Sequence, residues 1–122
     1  MSGGGLWDYR DSVWEYREST WTLDSDLVGY EVVAADDRIG RVVRASGSSA
    51  EAYLVVDAAA PAVRGLRLVP AGAVASLRHE DRTVRIDVTG SQLAAAPVFE
   101  GEGLDDAVRT AHDHYFRRLL QR

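Results

Sequence analysis

The chain contains no cysteine. Disulfides, thiolate zinc sites, iron–sulfur clusters and cysteine nucleophiles are therefore excluded. It contains no lysine either, and all 14 basic residues are arginine. That removes a Schiff-base or nucleophilic lysine and the lysine of a phosphate-binding loop. No run reaches the roughly 18 consecutive apolar residues of a membrane-crossing helix, so no membrane span is expected. The start, Met1-Ser2-Gly3-Gly4-Gly5, lacks the basic stretch and apolar run of a secretory leader. The expected location is cytoplasmic.

What is present reads as one globular domain. The 122 residues are 46% apolar and 27% charged, enough for a single modest core. The net charge of −5 repels nucleic acid as a whole.

Three regions differ in character. Residues 1–25 form a polar segment rich in aromatics. Residues 26–99 read as short strands separated by turns. Residues 100–122 read as a linker and a helix. In the middle region, Leu27 to Ala35 and Ile39 to Ala45 suit strands, with a turn at Asp36-Asp37. Ser46 to Ser49 reads as a loop. Tyr53-Leu54-Val55-Val56 is a continuous apolar run, the best candidate for a strand buried on both faces. A loop over Asp57 to Gly65 precedes a strand at Leu66 to Val69. Ala71 to Val74 has room for a single turn, and a short strand ends at Leu77. His79-Glu80-Asp81-Arg82 reads as a hairpin turn. Beyond it, Thr83 to Val88 alternates, with Val84, Ile86 and Val88 on one face and Arg85 and Asp87 on the other. Six short strands spaced by turns predict an all-β fold, and closure into a small barrel removes exposed edges. The expected core is Val28, Val32, Ile39, Val42, Leu54, Val56, Leu68, Val74, Leu77, Val84, Ile86 and Leu93.

In the tail, Leu104, Val108, Ala111, Tyr115 and Leu119 recur at spacings of three and four, the pattern of an amphipathic helix. Glu102, Asp105 and Asp106 at its start and Arg117, Arg118 and Arg122 at its end complement the helix dipole. The apolar stripe must dock on a barrel, its own or a neighbour's.

The middle region resembles the PRC-barrel family, whose fold is shared by the C-terminal domains of the photosynthetic reaction-centre H subunit and of a ribosome maturation factor. The residues that carry the resemblance are Asp26-Leu27-Val28-Gly29-Tyr30-Glu31-Val32, Ile39-Gly40-Arg41-Val42, Ala52 to Asp57, Leu68-Val69-Pro70-Ala71-Gly72, Val84 to Val88, and Ala96-Pro97. Gly29 and Gly40 suit tight backbone positions. Asp36-Asp37 stands where the family usually has Asp-Gly, which leaves the turn type open. The flanking aromatics Trp7 and Tyr9, the exit Ala96-Pro97-Val98-Phe99 and the tail His114-Tyr115-Phe116 are similar to those of small stand-alone actinobacterial members. The loop Ala58 to Gly65 departs from them, because it has no aromatic residue. The resemblance implies a partly or fully closed PRC-type β-barrel of about six strands, and a scaffold or adaptor role without a reaction.

Each candidate site also admits a plain structural role. Trp7-Asp8-Tyr9-Arg10-Asp11-Ser12 is repeated seven residues later as Trp14-Glu15-Tyr16-Arg17-Glu18-Ser19, with Trp21 following. On a helix these tryptophans share a face, with a drift of about 20° per heptad. On a strand Trp7 pairs with Tyr9 and Trp14 with Tyr16. Both readings stay open. Large aromatics outside a core mark contact surface, so Trp7, Tyr9, Trp14, Tyr16 and Trp21, with Tyr115 and Phe116, are the expected partner-binding residues. The plain alternative is that the segment folds back over the mouth of its own barrel. His112 and His114 point about 200° apart on a helix and do not converge on a metal. With His79 they are expected to face solvent.

The carboxylates Asp36, Asp37, Glu80 and Asp81 belong to turns. Ser46, Ser48 and Ser49 lack the setting of a nucleophile. Arg38, Arg41, Arg44, Arg64, Arg67, Arg78, Arg82 and Arg85 suit a solvated exterior, or a face for RNA or for an acidic protein, and the interspersed aspartates weaken the nucleic-acid reading. No catalytic residue, cofactor or metal is expected. The function expected is a non-enzymatic protein-interaction or assembly module, self-associating or bound to another protein. A ribosome- or RNA-associated factor is the alternative.

Overall fold

A computed structural model describes residues 13–17, 27–48, 51–97, 99–100 and 104–120, with 46–48 described by backbone alone. The strands are β1 (Glu31–Val33), β2 (Arg38–Ser48), β3 (Glu51–Ala59), β4 (Arg64–Pro70), β5 (Val74–Arg78) and β6 (Thr83–Ile86). Two helices follow, α1 (Gly90–Ala94) and α2 (Asp106–Leu120). The six strands form one mixed sheet in the order β4-β3-β2-β1-β6-β5. All neighbours are antiparallel except β1 and β6, which are parallel. The sheet is not closed by hydrogen bonds. Its edges, β4 and β5, are joined by the chain itself through a 3₁₀ turn at Ala71–Ala73.

The hairpins run further than the sequence suggests. β2 continues through Ser46-Gly47-Ser48, expected as a loop, and pairs with Glu51 to Tyr53. β3 and β4 continue into the expected 57–65 loop and turn through Pro61-Ala62, where the amide of Ala60 donates to the carbonyl of Val63 (3.0 Å). Strand pairing here follows from cross-strand partners and packing, which local propensity does not capture.

Leu27 to Tyr30 is a turn, closed by the Tyr30 amide on the Leu27 carbonyl (3.1 Å), and β1 begins only at Glu31. Gly29 has φ +93°, as the third residue of a type II turn requires. The expected alternation therefore fails at Val28, which is 49% exposed, and Leu27 takes the core position at 2%. Leu77 is only partly buried; the other ten expected core residues are buried. Gly40 meets a different requirement, because a Cβ there would overlap the Asp57 carbonyl of the paired strand.

α1 is a helix that strand alternation does not predict. Thr89 caps it: its hydroxyl accepts from the Gln92 amide (3.0 Å), and the Gln92 side chain accepts from the Thr89 amide (2.9 Å). α1 closes one end of the core with Leu93 and is tied to the β1–β2 turn, where Asp36 accepts from the Gly90 amide (3.0 Å). α2 begins where Asp105 accepts from the Val108 amide (2.9 Å), a cap worth about 1 kcal/mol.

Candidate functional site

Register decides what the outer face of the sheet can present. Opposed residues in a sheet point to the same side. On β3 and β4 the inner side carries Leu54, Val56 and Val69, and the outer side carries Tyr53, Val55 and Leu68, all of them buried. β3 is thus buried on both faces, as its apolar run implies, although it lies second from an edge. Both ends of the chain provide the outer cover.

The N-terminal contribution is Val13 to Arg17. Val13 and Trp14 are 0% and 1% exposed. Their carbonyls accept from the amides of Gly72 and Ala52, each at 2.7 Å. The Trp14 ring is perpendicular to that of Tyr53 at 6.3 Å, and the Arg109 guanidinium lies over the Trp14 ring, 5.4 Å from its centre. Arg109 also pairs with Glu51 at 2.7 Å. Tyr16 packs beside the core, and burial pushes its hydroxyl pKa up to about 12. Arg17 donates to the Gly72 carbonyl (3.0 Å) and to Asp87 (3.3 Å).

The C-terminal contribution is α2, which packs against β4. Its inward face runs through Val108, His112, Tyr115, Phe116 and Leu119; Ala111, expected in the stripe, is exposed. Phe116 is fully buried between Tyr115, edge-on at 5.4 Å, and His112, stacked at 6.2 Å. The Tyr115 hydroxyl donates to the Gln92 carbonyl (2.6 Å), joining α2 to α1.

His112 corrects the expectation of solvent-facing histidines: it is 0% exposed, whereas His79 and His114 are exposed. Its Nδ1 donates to the Val108 carbonyl (2.8 Å), and its Nε2 is buried with no hydrogen-bond partner among the described residues. Desolvation therefore holds the imidazole below the usual histidine pKa of 6.5, against a smaller opposing effect of the Val108 carbonyl. A folded-state pKa below the unfolded one means that the unfolded chain binds more protons in acid. Stability contributed by neutral His112 should be full above about pH 6.5 and fall as pH drops below it. Thermal midpoints of the native chain and of His112→Leu, compared from pH 7.5 to pH 5.5, check this. The native chain should lose more across that range, and parallel curves would contradict the assignment.

Of the expected partner-binding residues, Trp14 and Phe116 therefore lie in the core, and Tyr16 and Tyr115 are half-buried at its margin. Trp7, Tyr9 and Trp21 lie outside the described residues. The structure does not bring the four singled-out carboxylates together. Asp36 and Asp37 follow β1, while Glu80 and Asp81 precede β6. The parallel β1–β6 pairing sets these turns at opposite ends of the two strands. Asp36 holds α1, and Asp81 pairs with Arg78 (3.2 Å). His79 sits with Tyr30, 2.9 Å from its hydroxyl. No cluster of three metal-ligating side chains occurs among the described residues, and no described helix is long and apolar enough to cross a membrane.

The uncovered part of the outer face carries one continuous row. In register it reads Leu66, Asp57, Arg41, Glu31, Thr83 and Arg78, one residue from each strand in sheet order. Leu66, Asp57, Arg41 and Arg78 are exposed, and Glu31 and Thr83 are half-buried. The large apolar side chains exposed among the described residues are Val28, Val43 and Leu66. Val43 sits at the bulge in β2 beside Arg41 and Arg44. Sequence reasoning found the arginines but not their pairing with Asp57 and Glu31, because strand register is not written in composition.

No family model matches the chain, and no curated protein matches it. Among solved structures it is similar to a protein described as a putative 16S ribosomal RNA processing protein RimM from Pseudomonas aeruginosa, with 25% identity and a TM-score of 0.43. The likeness covers 50% of this chain and 40% of that one. This chain thus corresponds to well under half of that protein's length, and a likeness of that extent assigns neither family nor function.

Proposed function

We propose that the chain is a non-enzymatic protein-interaction module of the PRC-barrel type, and that its contact face is the outer row centred on Arg41. The observation that carries the proposal is the sign alternation of that row. Arg41 is flanked in register by Asp57 and Glu31, with exposed Leu66 beyond Asp57 and exposed Val43 on the same strand. A polyanion gains little from arginines that alternate with carboxylates. A protein surface of complementary pattern gains both charge pairing and apolar contact, and arginine is a frequent anchor in such interfaces. Assignment to the PRC-barrel type draws on the residue pattern, with Gly29 at positive φ, Gly40 against Asp57 and Pro70 ending β4. The absence of a reaction draws on the structural work already done by Asp36 and Asp81 and on their separation.

A photo-crosslinking residue placed at Val43 tests this in the native cell. The expected adducts are with one or a few proteins, and Arg41→Glu should weaken their binding at least tenfold, ~1.4 kcal/mol. Adducts with RNA alone would establish the alternative, and adducts unaffected by Arg41→Glu would remove the face from consideration.

A further inference from the structure

The seat of Val13–Arg17 is built largely by backbone. Two of its hydrogen bonds run from the amides of Gly72 and Ala52 to the carbonyls of Val13 and Trp14, and these ask nothing of the side chains. Gly72 is needed for the approach, because a Cβ there would lie 2.9 Å from the Val13 oxygen and 3.0 Å from its Cα. The side-chain requirements are few. The first residue is apolar and buried, the second is a buried tryptophan, the third is an exposed acid, the fourth is a half-buried tyrosine, and the fifth is an arginine that reaches Gly72 and Asp87.

Seven residues upstream the chain repeats these residue types in order, as Leu6-Trp7-Asp8-Tyr9-Arg10. The only changes are valine to leucine at the buried apolar position and glutamate to aspartate at the exposed one. One seat therefore has two matching ligands in the same chain.

We propose that the seat is a two-register site, in which Leu6–Arg10 of the same chain replaces Val13–Arg17 by a seven-residue slip. The connection to buried Leu27 allows it. With the second copy seated, residues 18–26 make the link; with the first seated, residues 11–26 do, and the longer link spans whatever the shorter one spans. Loop-closure entropy grows only slowly with length, so the slip is disfavoured by about two- to threefold from this source. That is enough to favour Val13–Arg17 at rest, and small enough for a partner to overcome. A partner that takes hold of Trp14 and Tyr16 then draws out one copy while the other fills the seat, and the core stays covered.

The native absence of cysteine makes a direct test available in the full chain. The Arg17 guanidinium reaches Asp87, so Arg17→Cys with Asp87→Cys should be joined within one chain by a short thiol-to-thiol crosslinker that spans the length of the lost arginine side chain, and this bond marks the resting register. Arg10→Cys with Asp87→Cys should also form one, more slowly by at least the two- to threefold loop penalty. Adding Trp7→Ala should abolish the second bond and leave the first. Arg17 and Asp87 are exposed, so the 17–87 pair leaves the core intact. Failure of the 10–87 bond to form while the 17–87 bond does would overturn the proposal. So would a 10–87 bond that persists with Trp7→Ala, or one that links two chains. Stability gives a second reading: Trp14→Ala with Trp7→Ala should lower the thermal midpoint by more than the two single changes added. Strict additivity would also overturn the slip.

Discussion

Phe116→Ala is expected to lower stability by about 3–5 kcal/mol. The ring is fully buried on the inward face of α2, stacked on His112 and edge-on to Tyr115. Its removal leaves a cavity under a single helix held against β4, and it deprives His112 of its stacking partner. Domains of this size have total stabilities of about 5–15 kcal/mol, so the change removes a large fraction of the whole. The thermal midpoint should fall on the order of 10–20 °C. α2 should loosen first, because the other apolar and aromatic residues of its inward face, Val108, Tyr115 and Leu119, are only partly buried. Far-ultraviolet circular dichroism during a melt checks both points. A shift of only a few degrees would mean that α2 adds little to the core.

Gly40→Ala should be nearly as damaging although it adds a single methyl group. The new Cβ would overlap the Asp57 carbonyl and lie 3.0 Å from the Ala58 Cα, in the backbone of the adjoining strand. No flexible side chain can yield there. Gly40 pairs on one side with Ala58 and on the other with Val32, so relief requires β2 to part from β3 in the middle of the sheet. Ordinary overpacking costs about 1–3 kcal/mol; a clash with paired backbone belongs at or beyond the upper end of that range. Gly29→Ala acts through a different cause. Space is open around Gly29, and only its positive φ resists a side chain, so a smaller loss of about 1 kcal/mol is expected. Chemical denaturation of the two variants compares them directly, and equal losses would contradict the distinction.

The contrast between those two glycines shows what the sequence could and could not convey. Both positions were legible as tight, but which was a turn and which a close approach depends on strand register. The alternation at Val84, Ile86 and Val88 was legible and places three buried residues correctly, because a period of two needs no tertiary information. Leu27 and Val28 were exchanged because the turn at Gly29 delays the start of β1. The capping box at Thr89 and Gln92 is the sequence signal for α1, and strand alternation does not carry it.

His112 was misplaced for a different reason. A histidine between Val108 and Phe116 sits on the stripe by spacing, but its polarity argued for solvent, and the backbone carbonyl that satisfies Nδ1 is a property of the helix itself. The aromatic repeat was the plainest feature of the chain. Its composition revealed apolar area to be covered, yet nothing in it identified Gly72 and Ala52 as the amides that receive its second copy.

The N-terminal segment and α2 interlock. Trp14 contacts both Tyr53 of β3 and Arg109 of α2, so the N-terminal segment and the helix meet over the same face of the same sheet. The measurement that tests this most directly is the thermal midpoint as a function of protein concentration, for the full chain and for residues 27–100 alone. Cover supplied within one chain predicts a full-chain midpoint that does not move with concentration, and a fragment that melts far lower or does not fold. A midpoint that rises with concentration would show that a neighbouring chain supplies the cover. A fragment as stable as the full chain would show that the ends are not part of the core.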